Sequence, residues 1–194
     1  MLKDEVTRLN GCYSNGSINR HIAMAKAADA QALIDDKIKK QYLQRYPTLK
    51  ENNIHYRILS DEERERLWKK LPEWIKPLWY FSSRVPCRIS EIINLKKENL
   101  HLSSGRIFLN GSLTKNGDAR KLTIYPEMYE YFETLPDDCE WLFFRSHKGI
   151  LKPLGYKGKG SKLKPDIKKA WNKALEEANI VGYNWHKTRQ QAAM

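Results

Sequence analysis

Cysteine is scarce in this chain, and no two cysteines are placed to work together. Cys12, Cys87 and Cys139 are odd in number, widely spaced and free of any CxxC pair. That excludes a disulfide framework and a zinc knuckle, and it suits reduced thiols in a cytoplasmic protein. No apolar run approaches the roughly 18 residues that an α-helical membrane span needs. The opening Met1-Leu2-Lys3-Asp4-Glu5 lacks the apolar stretch of a secretory signal, so a cytoplasmic location is expected. There is no HExxH and no metal-ligand cluster. Gly155-Tyr156-Lys157-Gly158-Lys159-Gly160-Ser161-Lys162 has the look of a nucleotide phosphate loop, but the lysine between the final glycine and the serine is missing. The expectation is therefore a protein without metal or cofactor. Internal repeats and low-complexity tracts are also absent.

What the chain does have is positive charge. Lys plus Arg number 35 against 23 Asp plus Glu, a net charge of +12 with a pI near 9.5. The excess is concentrated. From Arg145 to Lys173 there are ten basic residues (Arg145, Lys148, Lys152, Lys157, Lys159, Lys162, Lys164, Lys168, Lys169 and Lys173) and one acid, Asp166. A face of that density suits a polyanion, because phosphate contacts release condensed counterions. Charge alone also admits a solubilising surface. Hydrophobic residues at 41% and aromatics at 11% suffice to close a core, and 194 residues make one domain, or one plus part of a second.

Periodicity predicts a mainly α chain with a small antiparallel β-sheet, an α+β class. Ser17 to about Lys40 reads as a helix rich in small residues. Ile18, Ile22, Ala25 and Asp29 fall on one stripe, and Ala23, Ala27, Ala30 and Ile34 on the next. Gln41 to Ile58, with Pro47, Asn52 and Asn53, reads as a linker. Ser60 with Glu63 then forms a capping box, followed by Leu67, Trp68 and Leu71 as buried positions. Trp74, Leu78 and Phe81 continue a helical pattern around Pro77. Arg88 to Leu95 forms a short helix with Ile89, Ile92 and Ile93 inward.

Beyond it the period changes to two. Arg106–Leu109 and Lys121–Tyr125 read as strands joined through Thr114-Lys115-Asn116-Gly117-Asp118, a hairpin with Lys115 at its tip. Helices return over Pro126–Leu135, over Pro165–Asn179 with Ile167, Trp171, Ala174, Leu175 and Ala178 inward, and from about Asn184 onward. Asp137-Asp138 and Glu62-Glu63 sit in a turn and a first helical turn, where acids are expected for structural reasons.

Three clusters could carry chemistry, and each is bland by itself. Arg88 and Glu91, three apart, face away from the isoleucines and alone would be a surface ion pair. Lys115 alone would be a turn lysine. His186 and Arg189 share one helical face, as stray residues on any capped helix do. Their order is the informative feature. Arg88-Ile89-Ser90-Glu91-Ile92-Ile93-Asn94-Leu95, then Thr114-Lys115-Asn116-Gly117, then His186-Lys187-Thr188-Arg189 resembles the catalytic series of tyrosine site-specific recombinases and phage integrases. Ile18-Asn19-Arg20, opening the Ala-rich helix, looks like the last helix of that family's core-binding domain. Arg57-Ile58-Leu59-Ser60-Asp61-Glu62-Glu63 looks like the entry to its catalytic domain.

The resemblance implies a division at residues 1–57, the end of a helical core DNA-binding domain with its linker, and 58–194, a recombinase catalytic domain. It implies metal-independent cleavage and rejoining of DNA through a 3′-phosphotyrosyl link, with Arg88 and Arg189 clamping the phosphate. His186 would hydrogen-bond the phosphate or assist proton movement, Lys115 would protonate the leaving oxygen, and Glu91 would orient the first arginine. Arg20, Lys157, Lys159, Lys162 and Lys164 are the candidates for the DNA backbone. Partners would be double-stranded DNA and further recombinase protomers, tetrameric on DNA in this family, with this chain monomeric when free; a bacterial, prophage or phage source is implied.

Departures are visible too. Thr188 and Gln190 stand where the family carries leucine and a basic residue. The chain ends five residues beyond Arg189, and none of its ten tyrosines lies where the family's nucleophile does. The expectation is a piece of a longer protein that is inactive as it stands. Two other readings compete: a DNA-binding or regulatory member of the same fold, and a metal-dependent nuclease using Asp166 or the acidic pairs.

Overall fold

The structure, a computed structural model, describes residues 2–51, 57–114, 116–155 and 163–193. The chain divides into two units, residues 1–55 and 56–194. In the first, helix α1 (Leu2–Leu9) precedes the longer α2 (Asn15–Ile34). Ser14 caps α2, its side chain accepting the Ser17 N–H. Leu9, Ile18 and Ile22 form a small core, joined by the partly buried Val6, Tyr46 and Leu49.

Two expectations change here. The helix stops at Ile34 rather than near Lys40, and Asp36 just beyond it takes a left-handed φ of 54°. Its second stripe is not a packed face: Ala23 and Ala27 are exposed and Ile34 is 73% exposed. Residues 41–51, expected as a linker, are held down by polar side chains of α2. The Asn19 amide accepts the Leu49 N–H (2.8 Å) and donates to the Leu49 carbonyl (2.9 Å). The Asp29 carboxylate accepts the Tyr42 and Leu43 N–H groups at 2.8 and 2.9 Å. Side chains here take the place of a sheet or helix partner for the backbone.

The second unit opens at the expected capping box. Ser60 Oγ accepts the Glu63 N–H, Glu63 returns to the Ser60 N–H, and α3 (Asp61–Lys70) follows. Glu63 also accepts the Arg57 guanidinium, which holds its carboxyl below the ordinary value of 4.5. Leu67 and Leu71 are buried, but Trp68 is 38% exposed, contrary to the periodicity. It lies on the surface with Lys76 Nζ 5.1 Å from its ring and Trp79 at 6.0 Å. An amphipathic indole fits that half-wet position.

Helix α4 (Lys76–Ser82) starts with Pro77 in its first turn and buries Leu78, Trp79 and Phe81. The four-residue α5 (Ile89–Ile92) buries Ile92. A three-stranded antiparallel sheet follows, in the order β1 (Leu100–His101), β2 (Arg106–Leu109), β3 (Arg120–Thr123). Its register pairs Leu109 with Arg120 and Arg106 with Thr123.

The β2–β3 connection closes the expected antiparallel hairpin. It spans residues 110–119 and begins with a 3-10 turn at Gly111–Leu113. Thr114 Oγ1 lies 3.1 Å from the Gly111 carbonyl and 3.0 Å from that of Asp118. A β-carbon at Gly111 would collide with the Gly117 carbonyl, so glycine is required there.

The expected helix over Pro126–Leu135 is a 3-10 turn (Pro126–Met128) leading into α6 (Tyr129–Glu133). Next comes a hairpin that no sequence signal announced: β4 (Phe144–His147) and β5 (Ile150–Pro153), joined by Lys148-Gly149 with both φ values positive. That conformation is a type I′ turn, usually made with Asn-Gly or Asp-Gly, so the Lys-Gly pair hid it. Helix α7 (Pro165–Glu177) buries Ile167, Trp171, Ala174 and Leu175, with Ala178 just past its end, and α8 (Trp185–Ala192) follows an Asn184 cap. The core of this unit gathers side chains from α3, α4, α5, the three-stranded sheet, α6, α7 and α8.

Candidate active site

Trp185 sets the position of α8. Its ring lies 4.4 Å from Trp171 of α7, and its Nε1–H donates to Ser82 Oγ of α4 at 3.4 Å. Asn184 caps the helix by accepting the Lys187 N–H at 3.1 Å. Thr188, one of the departures noted above, is fully buried. One residue further along, Arg189 is half-buried, and its Nε–H donates to the Pro86 carbonyl at 3.2 Å. An arginine near the end of the chain thus meets the segment that leads into Arg88. His186, three residues before Arg189, is exposed.

Arg88 is the N-cap of α5, and Glu91 is its third residue. The Glu91 carboxylate turns back to accept the Arg88 backbone N–H at 2.9 Å and the Arg88 Nη1–H at 3.0 Å. This pair is not the surface ion pair that spacing suggested, and Glu91 does not face away from the core. Glu91 is 1% exposed, while the Arg88 side chain is 38% exposed. A buried carboxylate costs several kcal/mol unless it is fully matched, and a second cation completes the match. Arg120, the first residue of β3, donates Nη2–H to Glu91 Oε2, and the same nitrogen lies 3.5 Å from Cys87 Sγ.

Sequence reasoning missed Arg120. A signal for it existed. Two-residue alternation places Arg120 on the face of β3 that carries the buried Leu122, continued by the buried Ile124. A charge at an inward strand position calls for a buried partner of opposite sign.

Cys87 sits among these groups and is 2% exposed. Burial pushes its thiol up to about 11, although Arg120, Arg189 and Arg88 each pull the other way, so near neutral pH it is an uncharged thiol. The structure therefore gathers Arg88, Glu91, Arg120 and Arg189 around the Pro86-Cys87 backbone. Beside them a cavity of about 290 Å³ is lined by residues that include Arg84, Pro86, Cys87, Arg120, Lys121 and Tyr125. Electrostatically the cluster carries three guanidiniums against one carboxylate, an arrangement suited to an oxyanion.

The remaining expected site residues are spread more widely. Lys115, Lys157, Lys159 and Lys162 lie outside the described residues. Arg20 is exposed on α2. Lys164 precedes α7, and its Nζ donates to the Pro153 carbonyl at 2.9 Å, tying the helix start to β5. Within the basic stretch, Arg145 pairs with Asp166 at 2.6 Å, while Lys148, Lys152, Lys168 and Lys169 are exposed. Among the described residues no three His, Cys, Asp or Glu side chains converge as a metal site, and no helix is long and apolar enough to cross a membrane.

Known structures share this architecture. The Tn1549 transposon integrase, in complex with a circular intermediate DNA, superposes with a TM-score of 0.74 at 16% identity, over 98% of this chain and 70% of that one. The lambda integrase, as a tetramer bound to a Holliday junction, gives 0.76 at 10% identity, over 99% of this chain and 57% of that one. The integrase from mycobacterium phage Brujita gives 0.53 at 16% identity, over 99% and 62%. At these identities the likeness is one of fold. No curated protein matches the chain. The sequence pattern of the phage integrase family does match, from residue 48 to residue 194, and the chain belongs to the phage integrase family.

Proposed function

We propose that this chain supplies the phosphate-holding part of a site that cuts and rejoins DNA strands in site-specific recombination. The observation that carries the reading is the gathering of Arg88 and Arg189 at the Pro86-Cys87 segment, with Glu91 buried beneath the first arginine. A tyrosine hydroxyl attacks the scissile phosphorus, a 3′-phosphotyrosyl bond forms, and the 5′-oxygen leaves with a proton. A second strand's 5′-hydroxyl reverses the step, so the bond energy is kept and no nucleotide is consumed.

In this reading Arg88 and Arg189 bind the non-bridging oxygens, where negative charge grows in the transition state, and do the work of a divalent cation. His186 donates to the phosphate or moves a proton. Lys115 protonates the departing 5′-oxygen. Glu91 holds Arg88 in orientation. Residues 1–57 serve as the end of a core DNA-binding domain and 58–194 as the catalytic domain. Arg20, Lys157, Lys159, Lys162 and Lys164 contribute to the hold on the DNA backbone. In the same reading the protein is monomeric when free and assembles with other protomers on DNA in the cytoplasm. A related reading, a member of the fold that binds DNA without cutting it, draws on the same basic surface.

The test is a cleavage assay with the reading frame extended past Met194, on a nicked suicide DNA substrate in EDTA. The expected result is a covalent protein–DNA adduct that forms about 100- to 1,000-fold more slowly after Arg88→Ala or Arg189→Ala. DNA binding without an adduct would sink the cleavage reading in favour of the binding one, and an adduct abolished by EDTA would favour a metal-dependent nuclease.

A further inference from the structure

The role of Arg120 follows from how Glu91 is divided. Its two oxygens receive three donors: Oε1 takes Arg88 Nη1–H, and Oε2 takes both the Arg88 backbone N–H and Arg120 Nη2–H. The Arg120 side chain is 37% exposed, almost the same as that of Arg88, and the two guanidiniums take different oxygens of the carboxylate. Arg120 also reaches Cys87, the residue before Arg88. It leads the strand that follows the Lys115 segment, five residues beyond that lysine.

Charge shows what this arrangement achieves. A carboxylate facing a single guanidinium makes a neutral pair, and an arginine so compensated has little field left for a phosphate. With a second guanidinium on the same carboxylate, the group of three keeps a net charge of +1, and Arg88 is oriented without being neutralised.

We propose that Arg120 is a positioning residue for Arg88: by sharing Glu91 it holds the Arg88 guanidinium in orientation while the group of three keeps its net positive charge, and it ties that orientation to the strand leading out of the Lys115 segment. Arg120 acts through Glu91 and not on the phosphate. The claim rests on the strand-cleavage reading above, so its test uses two readouts that fail separately.

The first readout is adduct formation by the extended reading frame on suicide DNA, comparing Arg120→Met, Arg120→Lys, Glu91→Gln and the Glu91→Gln/Arg120→Met pair. Arg120→Met is expected to slow the covalent step by about 10- to 100-fold, as loss of a supporting partner does elsewhere, while the Kd for uncleaved DNA stays within about threefold. Arg120→Lys recovers most of the rate. In the Glu91→Gln background the Arg120→Met change costs no more than about threefold further, because the group it acts through has gone. The double variant also leaves no uncompensated buried carboxylate, so it keeps the comparison valid if Arg120→Met alone unfolds.

The second readout is the guanidinium ¹H–¹⁵N spectrum of the present chain. Slow rotation of the Arg88 guanidinium is expected in the unaltered chain and in Arg120→Lys, and fast rotation in Arg120→Met. An Arg120→Met protein that cleaves at the unaltered rate overturns the proposal. So does an equal loss with and without Glu91, which would place Arg120 on the phosphate itself. If no protein forms an adduct, the cleavage reading falls, and the spectra alone decide whether Arg120 holds Arg88.

Discussion

Replacing Glu91 with glutamine tests the heart of this site through stability alone. Three donors converge on a carboxylate that is 1% exposed, two of them from guanidiniums. Glutamine has the same shape, and its amide oxygen can keep the bond to the Arg88 backbone N–H, since capping boxes accept Gln as well as Glu. What disappears is the charge, and the amide NH2 now faces donors. Breaking a buried ion pair costs about 3–5 kcal/mol. The partners here are more than a third exposed, at 38% and 37%, so water rehydrates them in part. That lowers the expected loss to about 2 kcal/mol. For a unit of this size the loss corresponds to a Tm lower by roughly 4–8 °C. Calorimetry and urea unfolding measure it, with an unchanged m-value marking a native-state effect. Adding Arg120→Met removes one of two like charges left facing each other, and should return about 1 kcal/mol. A Glu91→Gln variant within about 0.5 kcal/mol of the unaltered protein would refute the picture of a charged, shared carboxylate.

Other consequences are quicker to check. Asn19→Ala removes both bonds to Leu49 and should cost about 1–2 kcal/mol, with faster hydrogen exchange at the Leu49 amide. Ser60→Ala removes the cap of α3 and should cost about 1 kcal/mol in urea unfolding. Glu63 titrates below 4.5 in the folded protein because of Arg57, so its stabilisation is present above that pH and lost as the pH falls through the lowered folded value. Acid titration of Glu63→Gln should show a shallower stability loss in that window. Cys87 has the opposite sign: with its thiol pushed from 9.0 up to about 11 by burial, stability is full below pH 9 and declines as pH rises toward 11. At pH 8 the exposed Cys12 should alkylate readily while Cys87 resists until the chain unfolds, as mass spectrometry would show.

Most helices could be placed from the chain alone, for reasons that act over short distances. Ser60 and Glu63 start α3 because a cap needs only residues three apart. The apolar spacing Ile167, Trp171, Ala174, Leu175 describes the buried face of α7 because the helix repeats every few residues. Errors came where a local rule met a non-local partner. Trp68 fits the buried stripe of α3, but Lys76 and Trp79 hold it at the surface. Residues 41–51 lack periodicity because their order comes from Asn19 and Asp29 on a helix already formed.

The order of Arg88, Lys115, His186 and Arg189, the helical spacing of Arg88 and Glu91, and the concentration of lysine between Arg145 and Lys173 belong to the sequence by itself. So does the mainly α character with a small sheet, because caps, turns and hydrophobic periods are contacts among near neighbours in the chain. Only the tertiary structure decided that Glu91 is buried, that Arg120 shares it from 29 residues away, and that Arg189 reaches the Pro86 carbonyl across 103 residues. Those pairings depend on how α4, α7 and the sheet close the core, with Trp185 wedged against Trp171 and Ser82. Local spacing carries no record of which distant charge will be delivered to a buried carboxylate.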